Sequence, residues 1–348
     1  MIHLLGIREH TEEREDSLSP YAVKSKLSRG RLKPEQPCPM RTAFQRDRDR
    51  LSHSKAFRRL KHKTQVFIAP LGDHYVTRLT HTLEVSQIAR SIARALNLNE
   101  DLAEGIALGH DLGHSPFGHI GEEVLNELHP DGFRHNEQSL RVVDLLEKDG
   151  RGLNLTWEVR DGILNHSKTR GDILGQGWGE VNTLEGEVCK IADIVAYLNH
   201  DVGDAIRAGI IAEDDLPHSV VATLGSSHSE RINTLVCDII RHSWAATGYL
   251  GGEKPVIGMS PQVLEATSSL REFLFQKVYN PSSAEEDAVR ARQAVRLLYN
   301  YFVKHEEGLP KEYASRGDSI ERKVADYIAG MTDQYALRLA NDISSPIR

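Results

Sequence analysis

The sequence predicts an all-α protein, because apolar residues recur at helical spacing along most of the chain and strand-type alternation is almost absent. The first clear stripe consists of Val85, Ile88, Ala89, Ile92 and Leu96. Spacings of three and four positions place these residues on one face of a helix. Asn97 follows the stripe and is a suitable residue to end the helix. His81 precedes Val85 by one helical turn and therefore lies on the same inward face.

The helical period continues to the carboxyl terminus. A second helix is predicted to begin near Glu100, and its apolar face leads to His110. Three later stripes are pairs, namely Leu125 with Leu128, Leu140 with Val143, and Val159 with Ile163. A longer stripe consists of Val188, Ile191, Val195 and Leu198. The last third of the chain contains two more, one formed by Val263, Leu264, Leu270, Phe273 and Leu274 and the other by Ala288, Ala291, Val295, Leu298 and Phe302. Ser260 before Pro261 predicts a helix start. Looser links are expected near residues 171–180 and 248–259.

Composition restricts the class of protein. The chain has 348 residues, enough for two domains or one large domain, and its 27% charged and 39% hydrophobic residues indicate a globular protein. Charged and turn-forming residues dominate residues 1–40, which are predicted to be a mobile arm. There is no basic segment followed by a long apolar run, and no run of about 18 apolar residues, so we expect a cytoplasmic protein without a membrane anchor.

Charge and cysteine content exclude further classes. The 43 basic and 50 acidic residues give a net charge of −7, which argues against a surface coated in positive charge for nucleic acid. Residues 41–63 are locally basic; a solvated helix is the plainer interpretation, and a phosphate-binding or nucleic-acid-binding surface ranks second. Cys38, Cys189 and Cys237 lie far apart, so neither a disulfide framework nor a thiolate zinc site is supported.

Histidine is strikingly unevenly distributed, since nine of the 17 histidines fall between His53 and His135. The segment HDLGHSPFGH contains His110, Asp111, His114 and His119, and its glycines and proline exclude a regular helix. A lone buried histidine is usually an ordinary core residue. Imidazole and carboxylate concentrated in ten residues instead favour a divalent ion such as Mn, Fe, Co, Ni or Zn. His81 is positioned to approach from the preceding helix.

A distant helix offers one more ligand. In VCKIADIVAYLNHDVGDAIRAG, Asp193, Tyr197, Asp201 and Asp204 follow one face beside the apolar stripe. A solvated outer face explains Asp204 well and Asp193 poorly, because an unpaired charge among apolar neighbours is costly. The candidate metal ligands are therefore His81, His110, Asp111 and Asp193.

These four residues resemble the ligand signature of the HD-domain metallophosphohydrolases. Longer segments are similar to the bacterial deoxyguanosine triphosphate triphosphohydrolases, namely RTAFQRDRDRLSHSKAFRRLKHKTQVF, RLTHTLEVSQIAR, ALGHDLGHSPFGHIGEEVLNEL, GFRHNEQSLRVVD and ADIVAYLNHDVGDAIRAG. The similarity extends from about Ser28 to Ile211. It implies an HD-domain helical core at 41–211, with the ligands at about 75–200. An additional helical accessory region is expected at 212–348, where no motif was assigned.

The resemblance implies metal-dependent hydrolysis of dGTP or several dNTPs to deoxynucleoside and inorganic triphosphate. Mg is then a further candidate ion. His119 is implied as the acid that protonates the leaving 5′-oxygen, Glu122 as the residue that orients it, and His135 as a partner in proton transfer. The implied substrate contacts are Arg78 and His114 on the phosphates, and Gln65, Tyr197 and Asp201 on the deoxyribose. Val76 and Ile194 replace arginines that many relatives carry, so base preference stays open.

Other interpretations stay open at this point. An HD-type nucleotidase or cyclic-nucleotide phosphodiesterase would use the same metal ligands. A nucleic-acid-binding or nucleotide-sensing protein would use residues 41–63. Relatives of the resembled family form homo-oligomers, often with nucleotide effector sites. A homo-oligomer is therefore expected, and whether a nucleotide effector is needed stays open. His166 and His200 lie near motifs and have no assigned role.

Overall fold

The computed structural model describes residues 6–66, 75–167, 180–249, 255–282 and 286–345, and it confirms the predicted all-α fold. The helices are α1 (Ile7–Arg14), α2 (Ala43–Ser52), α3 (Lys55–Arg59), α4 (Arg78–Ala95), α5 (Glu100–Gly109), α6 (His119–Leu128), α7 (His135–Arg141), α8 (Glu147–Gly150), α9 (Trp157–Asn165), α10 (Leu184–Arg207), α11 (His218–Leu224), α12 (His228–His242), α13 (Pro261–Leu274), α14 (Asn280–Ser282), α15 (Glu286–Lys304), α16 (Lys311–Ala314), α17 (Ile320–Ala329) and α18 (Asp333–Ser344). Strand-like pairing within these ranges is limited to two isolated bridges, Arg31 with Thr156 and Thr64 with Thr77.

Local signals explain where α4 and α5 begin and end. The buried stripe from Val85 to Leu96 lies along α4, as predicted. Asn97 then adopts a left-handed conformation with φ of 56°, which asparagine tolerates better than most residues. Asn99 caps α5 by accepting a hydrogen bond from the Leu102 amide at 3.2 Å. Helix α5 ends at Gly109, and His110 follows directly.

Helix α13 begins at Pro261, as predicted, but Ser260 does not cap it with its side chain. The Ser260 hydroxyl instead donates to Asp238 Oδ1 at 2.7 Å. The looser link predicted near 171–180 lies outside the described residues except for residue 180. In the link predicted near 248–259, residues 248–249 and 255–259 are described and contain no helix. No helix in the described ranges is long and apolar enough to cross a membrane.

The chain forms two compact units. Unit 1 contains Met1–His53, Thr82–His110 and Leu153–Val278. In it, α5 packs on α2, α9 and α10, and α10 also contacts α12 and α13. Gly162 in α9 permits a close approach, because a Cβ there would lie 2.6 Å from Ile106 side-chain atoms. The long helix α10 therefore lies at the centre of this unit, with Val188, Val195 and Leu198 fully buried.

Unit 2 contains Ser54–His81, Asp111–Gly152 and Tyr279–Arg348. Helix α15 packs on α6, α17 and α18. The core of this unit joins side chains from its second and third stretches. Phe117, Val124, Leu125 and Phe133 come from the second stretch, and Val295, Leu298, Phe302, Val324 and Ile328 come from the third. The carboxyl-terminal helices are thus part of the core beneath the histidine-rich segment.

Residues 6–40, predicted to be a mobile arm, contain α1 and several buried polar side chains. Glu15 accepts hydrogen bonds from the Ser25 amide and hydroxyl, and the Ser19 hydroxyl donates to the Ala246 carbonyl. The mobility of the arm and the boundaries at 41–211 and 212–348 stay predictions. Each of the two compact units is built from three separate stretches of chain.

Candidate active site

The histidine-rich segment leaves α5, forms a loop over residues 110–118 and enters α6 at His119. Its shape depends on two glycines. A Cβ on Gly113 would lie 2.1 Å from the Ser139 amide nitrogen, so only glycine lets the loop pack against α7. Gly118 has φ of 57° and ψ of −130°, a conformation that side chains with a Cβ disfavour. The prediction that this segment is not a regular helix is confirmed.

His81, His110 and Asp111 are almost completely buried, with 1%, 2% and 4% of their surface exposed. In unit 2, His81 Nε2 lies 3.9 Å from Asp111 Oδ2. His110 precedes Asp111 in the chain, and its Nδ1 lies 2.6 Å from the Ala107 carbonyl oxygen. Because a carbonyl only accepts, Nδ1 carries the proton and Nε2 carries the lone pair that a metal needs.

The donor chemistry of this cluster fits a divalent metal. Imidazole nitrogens and a carboxylate are the ligands that Mn, Fe, Co, Ni and Zn share in proteins. A buried carboxylate requires compensation by a partner or an ion. Asp111, His114 and His135, all buried in unit 2, also place ligand atoms within 4.8 Å of one another. These residues therefore form a buried His–Asp cluster whose donor atoms suit a divalent metal, and metal binding with Asp193 as the fourth ligand stays a prediction.

Arg78 is one partner of Asp111. Its Nη1 donates to Asp111 Oδ2 at 2.6 Å, and the arginine side chain is 2% exposed. A Cβ on Gly118 would lie 3.1 Å from Arg78 Nη2, so the glycine leaves room for the guanidinium. The sequence predicts a phosphate contact for Arg78 and contains no sign of this ion pair. The pair places a fixed positive charge beside the Asp111 carboxylate.

Glu122 connects two of the predicted catalytic histidines. Its Oε1 accepts from the His135 backbone amide at 2.8 Å and lies 2.8 Å from His135 Nδ1. Its Oε2 lies 3.2 Å from His119 Nδ1. The sequence assigned Glu122 to the orientation of His119 alone. In the structure it orients both rings.

The charges of this group follow from burial and pairing. Burial lowers the pKa of His135, but the adjacent Glu122 carboxylate outweighs this effect and leaves the pKa raised. Burial raises the pKa of Glu122, yet His135 and His119 hold it well below its usual range. Burial, Arg78 and His135 together lower the pKa of His114 well below its ordinary value. The Glu122 carboxylate thus favours the charged form of His135, whereas the surroundings of His114 favour its neutral form.

His114 and His119 present different surroundings. The His114 ring stacks on His135 with centroids 4.0 Å apart, and its Nε2 lies 3.5 Å from Asp111 Oδ1. Its buried Nδ1 has no hydrogen-bond partner among the described residues. The His119 side chain is 78% exposed, so its ring is accessible to a ligand from solvent. His119 is therefore accessible from solvent, whereas His114 is buried and offers an unpartnered nitrogen inside the protein.

The remaining predicted substrate residues lie in both units. In unit 2, Gln65 has a buried Oε1 without a hydrogen-bond partner in the described part of the chain. In unit 1, Tyr197 and Asp201 lie on α10, and Asp193 lies one turn before Tyr197 on the same helix. Burial raises the pKa of the Tyr197 phenol, which keeps the hydroxyl neutral. These side chains offer hydrogen-bonding groups of the kind a nucleotide sugar requires.

Two histidines without an assigned role also lie beside predicted site residues. His200 Nδ1 lies 2.7 Å from Asp201 Oδ1. Burial lowers the pKa of His200, and Asp201 outweighs it so that the pKa is raised. The His166 ring meets the His110 ring edge to face at 5.0 Å. Their proximity to the motifs was the only sequence signal, because ring contacts between distant helices leave no local pattern.

Sequence reasoning missed Lys63 and Asp333. The buried Lys63 ammonium donates to the backbone carbonyls of His114 and Ala329. Burial lowers the pKa of Lys63 to about 7. Asp333 accepts hydrogen bonds from the Thr64 and Phe117 amides. Both residues hold the segment that carries the histidines. Lys63 ends the basic segment 41–63, where it had no assigned role, and Asp333 lies in a region without an assigned motif.

Two family models match parts of this chain. The HD domain family matches residues 78–198, and the phosphohydrolase-associated domain family matches residues 257–342. The first match spans His81, His110, Asp111 and Asp193. A solved structure of a hypothetical protein from Aquifex aeolicus aligns with a TM-score of 0.42 and 19% identity, over 84% of this chain and 67% of that chain.

Relatives match over nearly the full chain. A deoxyguanosinetriphosphate triphosphohydrolase-like protein of Caldanaerobacter subterraneus subsp. tengcongensis is 57% identical, over 98% of this chain and 97% of the relative. Proteins of the same name from Desulfatibacillum aliphaticivorans and Clostridium tetani are 50% and 47% identical, over 98% and 99% of this chain and 99% and 98% of the relatives. The chain therefore belongs to the HD-domain family of deoxyguanosinetriphosphate triphosphohydrolase-like proteins and is a metal-dependent phosphohydrolase.

Proposed function

We propose that this protein hydrolyses deoxynucleoside triphosphates, dGTP or several dNTPs, to deoxynucleoside and inorganic triphosphate. One observation carries the proposal. The buried His–Asp cluster lies next to an ordered His119–Glu122–His135 group in a chain that is 57% identical to a relative named for dGTP triphosphohydrolysis. The reaction joins a water oxygen to the α-phosphorus and breaks the bond from that phosphorus to the 5′-oxygen.

His81, His110, Asp111 and Asp193 would hold the divalent ion, which is Mn, Mg, Fe, Co, Ni or Zn. When bound, such an ion neutralises phosphate charge and makes water a better nucleophile near neutral pH. The protonated Nδ1 of His110 is held by the Ala107 carbonyl, which orients the ring. Arg78 adds a fixed positive charge at Asp111, and its planar group of donors suits phosphate oxygens.

The neutral His114 would contact the triphosphate through its buried Nδ1. Because burial disfavours its charged form, His114 serves as a hydrogen-bonding group and not as a cation. Gln65, Tyr197 and Asp201 would contact the deoxyribose, with the Tyr197 ring near C2′ and the Asp201 carboxylate on the 3′-hydroxyl. An aromatic ring near C2′ leaves little room for a ribose hydroxyl, which would favour deoxynucleotides.

His119 would donate a proton to the leaving 5′-oxygen. Glu122 accepts from His119 Nδ1, so the opposite nitrogen faces away from the carboxylate and can carry the proton to the substrate. The same carboxylate holds His135 in its charged form. His119 and His135 therefore both contact the Glu122 carboxylate, which is consistent with a shared role in proton transfer.

The products identify the bond that is cleaved. We would incubate the purified protein with Mn²⁺ or Mg²⁺ and each dNTP, singly and mixed, and separate the products by ion-exchange chromatography. The expected products are deoxynucleoside and triphosphate, and activity restricted to mixtures would reveal that a nucleotide effector is required. Release of orthophosphate or pyrophosphate contradicts the proposed bond. Turnover of nucleoside monophosphates or cyclic nucleotides without any dNTP turnover contradicts the proposed substrate class.

A further inference from the structure

Asp333, the first residue of α18, binds two separate segments of unit 2 with one carboxylate. Its Oδ2 accepts from the Thr64 backbone amide at 2.8 Å and also from the Thr64 hydroxyl. Its Oδ1 accepts from the Phe117 backbone amide at 2.9 Å. Hydrogen bonds to an ionised acceptor are stronger than those between neutral groups. The carboxylate therefore fixes the distance between the two segments.

Both segments lead directly into residues of the proposed reaction. Thr64 precedes Gln65, and Phe117 lies two positions before His119. Phe117 has φ of 63° and Gly118 has φ of 57°. A phenylalanine with positive φ is strained, and such a conformation persists only where its surroundings hold it. The hydrogen bond from the Phe117 amide to Asp333 supplies such a restraint at the strained residue.

Lys63 supports the same arrangement from the other side of Thr64. Its ammonium donates to the His114 carbonyl and, at 2.8 Å, to the Ala329 carbonyl at the end of α17. Two side chains thus connect the loop that carries His114 and Phe117 to the junction of α17 and α18. Lys63 donates to both the loop and the end of α17, and Asp333 at the start of α18 accepts from the loop.

We propose that Asp333 is a positioning residue, which holds the 113–118 loop against the Thr64–Gln65 segment so that His119 and Gln65 meet the substrate in fixed geometry. This inference rests on the proposed function. It assigns a role in the reaction to the carboxyl-terminal region, for which the sequence provided no motif. Asp333 acts through the backbone of Thr64 and Phe117 and does not itself contact the substrate.

The test combines amide hydrogen exchange, measured at the Thr64 and Phe117 amides by NMR, with steady-state kinetics. Asp333→Ala should speed exchange at both amides and lower kcat by about tenfold or more, since small misplacements of reacting groups reduce rates steeply. Asp333→Asn keeps one acceptor oxygen, which serves the Thr64 donors or the Phe117 amide but not both, and it turns an NH₂ group toward the other segment. It should therefore retain protection at one of the two amides, lose it at the other, and recover part of kcat.

Asp342→Asn is the matched control, because Asp342 is an exposed residue of the same helix. It should match the wild type in exchange and kcat. Metal content should be unchanged in all variants. Wild-type exchange and kcat in Asp333→Ala would overturn the inference, and so would equal losses in Asp342→Asn.

Two negative results, an inactive wild type and an Asp333→Ala variant that does not fold, have separate interpretations. If the wild type turns over no dNTP, the proposed function fails, while the exchange data still show whether Asp333 holds the two segments. If Asp333→Ala does not fold, Thr64→Val replaces it, because this change removes only the hydroxyl donor to Asp333. Thr64→Val should then reduce kcat less than tenfold and speed exchange at Thr64, and unchanged exchange there would contradict the inference.

Discussion

Glu122 shows how much one side chain can organise. Its two oxygens bind two histidines that lie 16 positions apart in the chain, since His119 and His135 share this carboxylate. Pairing with Glu122 favours the charged form of His135, and the His135 ring also stacks on the His114 ring. A general acid needs both orientation and a proton supply, and this arrangement offers both.

Separate substitutions should distinguish metal ligands from proton-transfer residues. His119→Ala should keep its metal and lose activity by roughly 10²-fold or more, the usual contribution of a positioned acid. His110→Ala and Asp193→Ala should lose metal and activity together, because a ligand is removed. Metal content after dialysis, measured by atomic emission spectrometry, and turnover of dNTPs give the two readouts.

His305→Ala provides the control for these variants, since the His305 side chain is half exposed and pairs only with Glu307 among the ion pairs described. It should retain metal and turnover. Full activity in His119→Ala would show that another group protonates the leaving oxygen. His135 would then be the next candidate. Normal metal content in Asp193→Ala would remove Asp193 from the ligand set.

At the scale of the element, α10 combines a core face with a line of polar residues. Its first turn also buries Glu185, which accepts from the Val23 and Asn99 amides, each at 3.0 Å. Burial raises the pKa of Glu185 to about 7, although the amides of Asn99 and Val23 oppose this effect. Since Val23 belongs to the amino-terminal residues and Asn99 caps α5, one carboxyl joins three parts of unit 1.

Glu185 should make stability depend on pH. The native carboxyl titrates near pH 7 and the unfolded one near its ordinary value of 4.5, so the native state binds more protons between these values. Its contribution to the free energy of unfolding is therefore fully present below pH 4.5 and is lost as the pH rises through 7. Glu185→Gln stays neutral and keeps an acceptor oxygen. It should gain stability relative to the wild type from pH 5 to pH 8, by about 3 kcal/mol at most.

Urea unfolding at pH 5 and pH 8 measures this difference. Glu265→Gln serves as the control, because Glu265 is exposed on α13 in the same unit. Its stability relative to the wild type should stay constant between the two pH values. A Glu185→Gln difference that is equally constant would show that Glu185 is ionised in the native protein at both pH values.

At the scale of the whole molecule, each compact unit is assembled from three stretches that are distant in the chain. In unit 2, the helix that begins at His119 packs on α15, more than 150 positions later. Val124, Leu125 and Phe133 are buried in the core that α15 and α17 complete. The helices after residue 279 therefore belong to the same core as α6.

A chain that ends at Val278 should fail to fold cooperatively, because Val124, Leu125 and Phe133 would lose their packing partners. We expect aggregation in size-exclusion chromatography and a near-ultraviolet circular dichroism spectrum without fixed aromatic signals. A chain that ends at Ser345 is the control and should behave as the full chain does. A monodisperse 1–278 protein with a wild-type thermal midpoint would contradict this prediction.

The sequence by itself determined the features that depend on local patterns. Helical spacing predicted the stripe of α4 and the inward position of His81, and Asn97 and Asn99 mark where α4 ends and α5 begins. Glycine and proline predicted the loop after His110. These predictions succeed because periodicity and capping act over a few residues.

Only the tertiary structure decided which distant residues serve the site. The bond from Thr64 to Asp333 spans 269 positions, and the bond from Lys63 to Ala329 spans 266. The ion pair of Arg78 with Asp111 has no signature in local spacing, and neither has the contact between Glu122 and His135. Such contacts form when packing brings separate stretches together, so their partners are set by the shape of the folded core and not by any segment read alone.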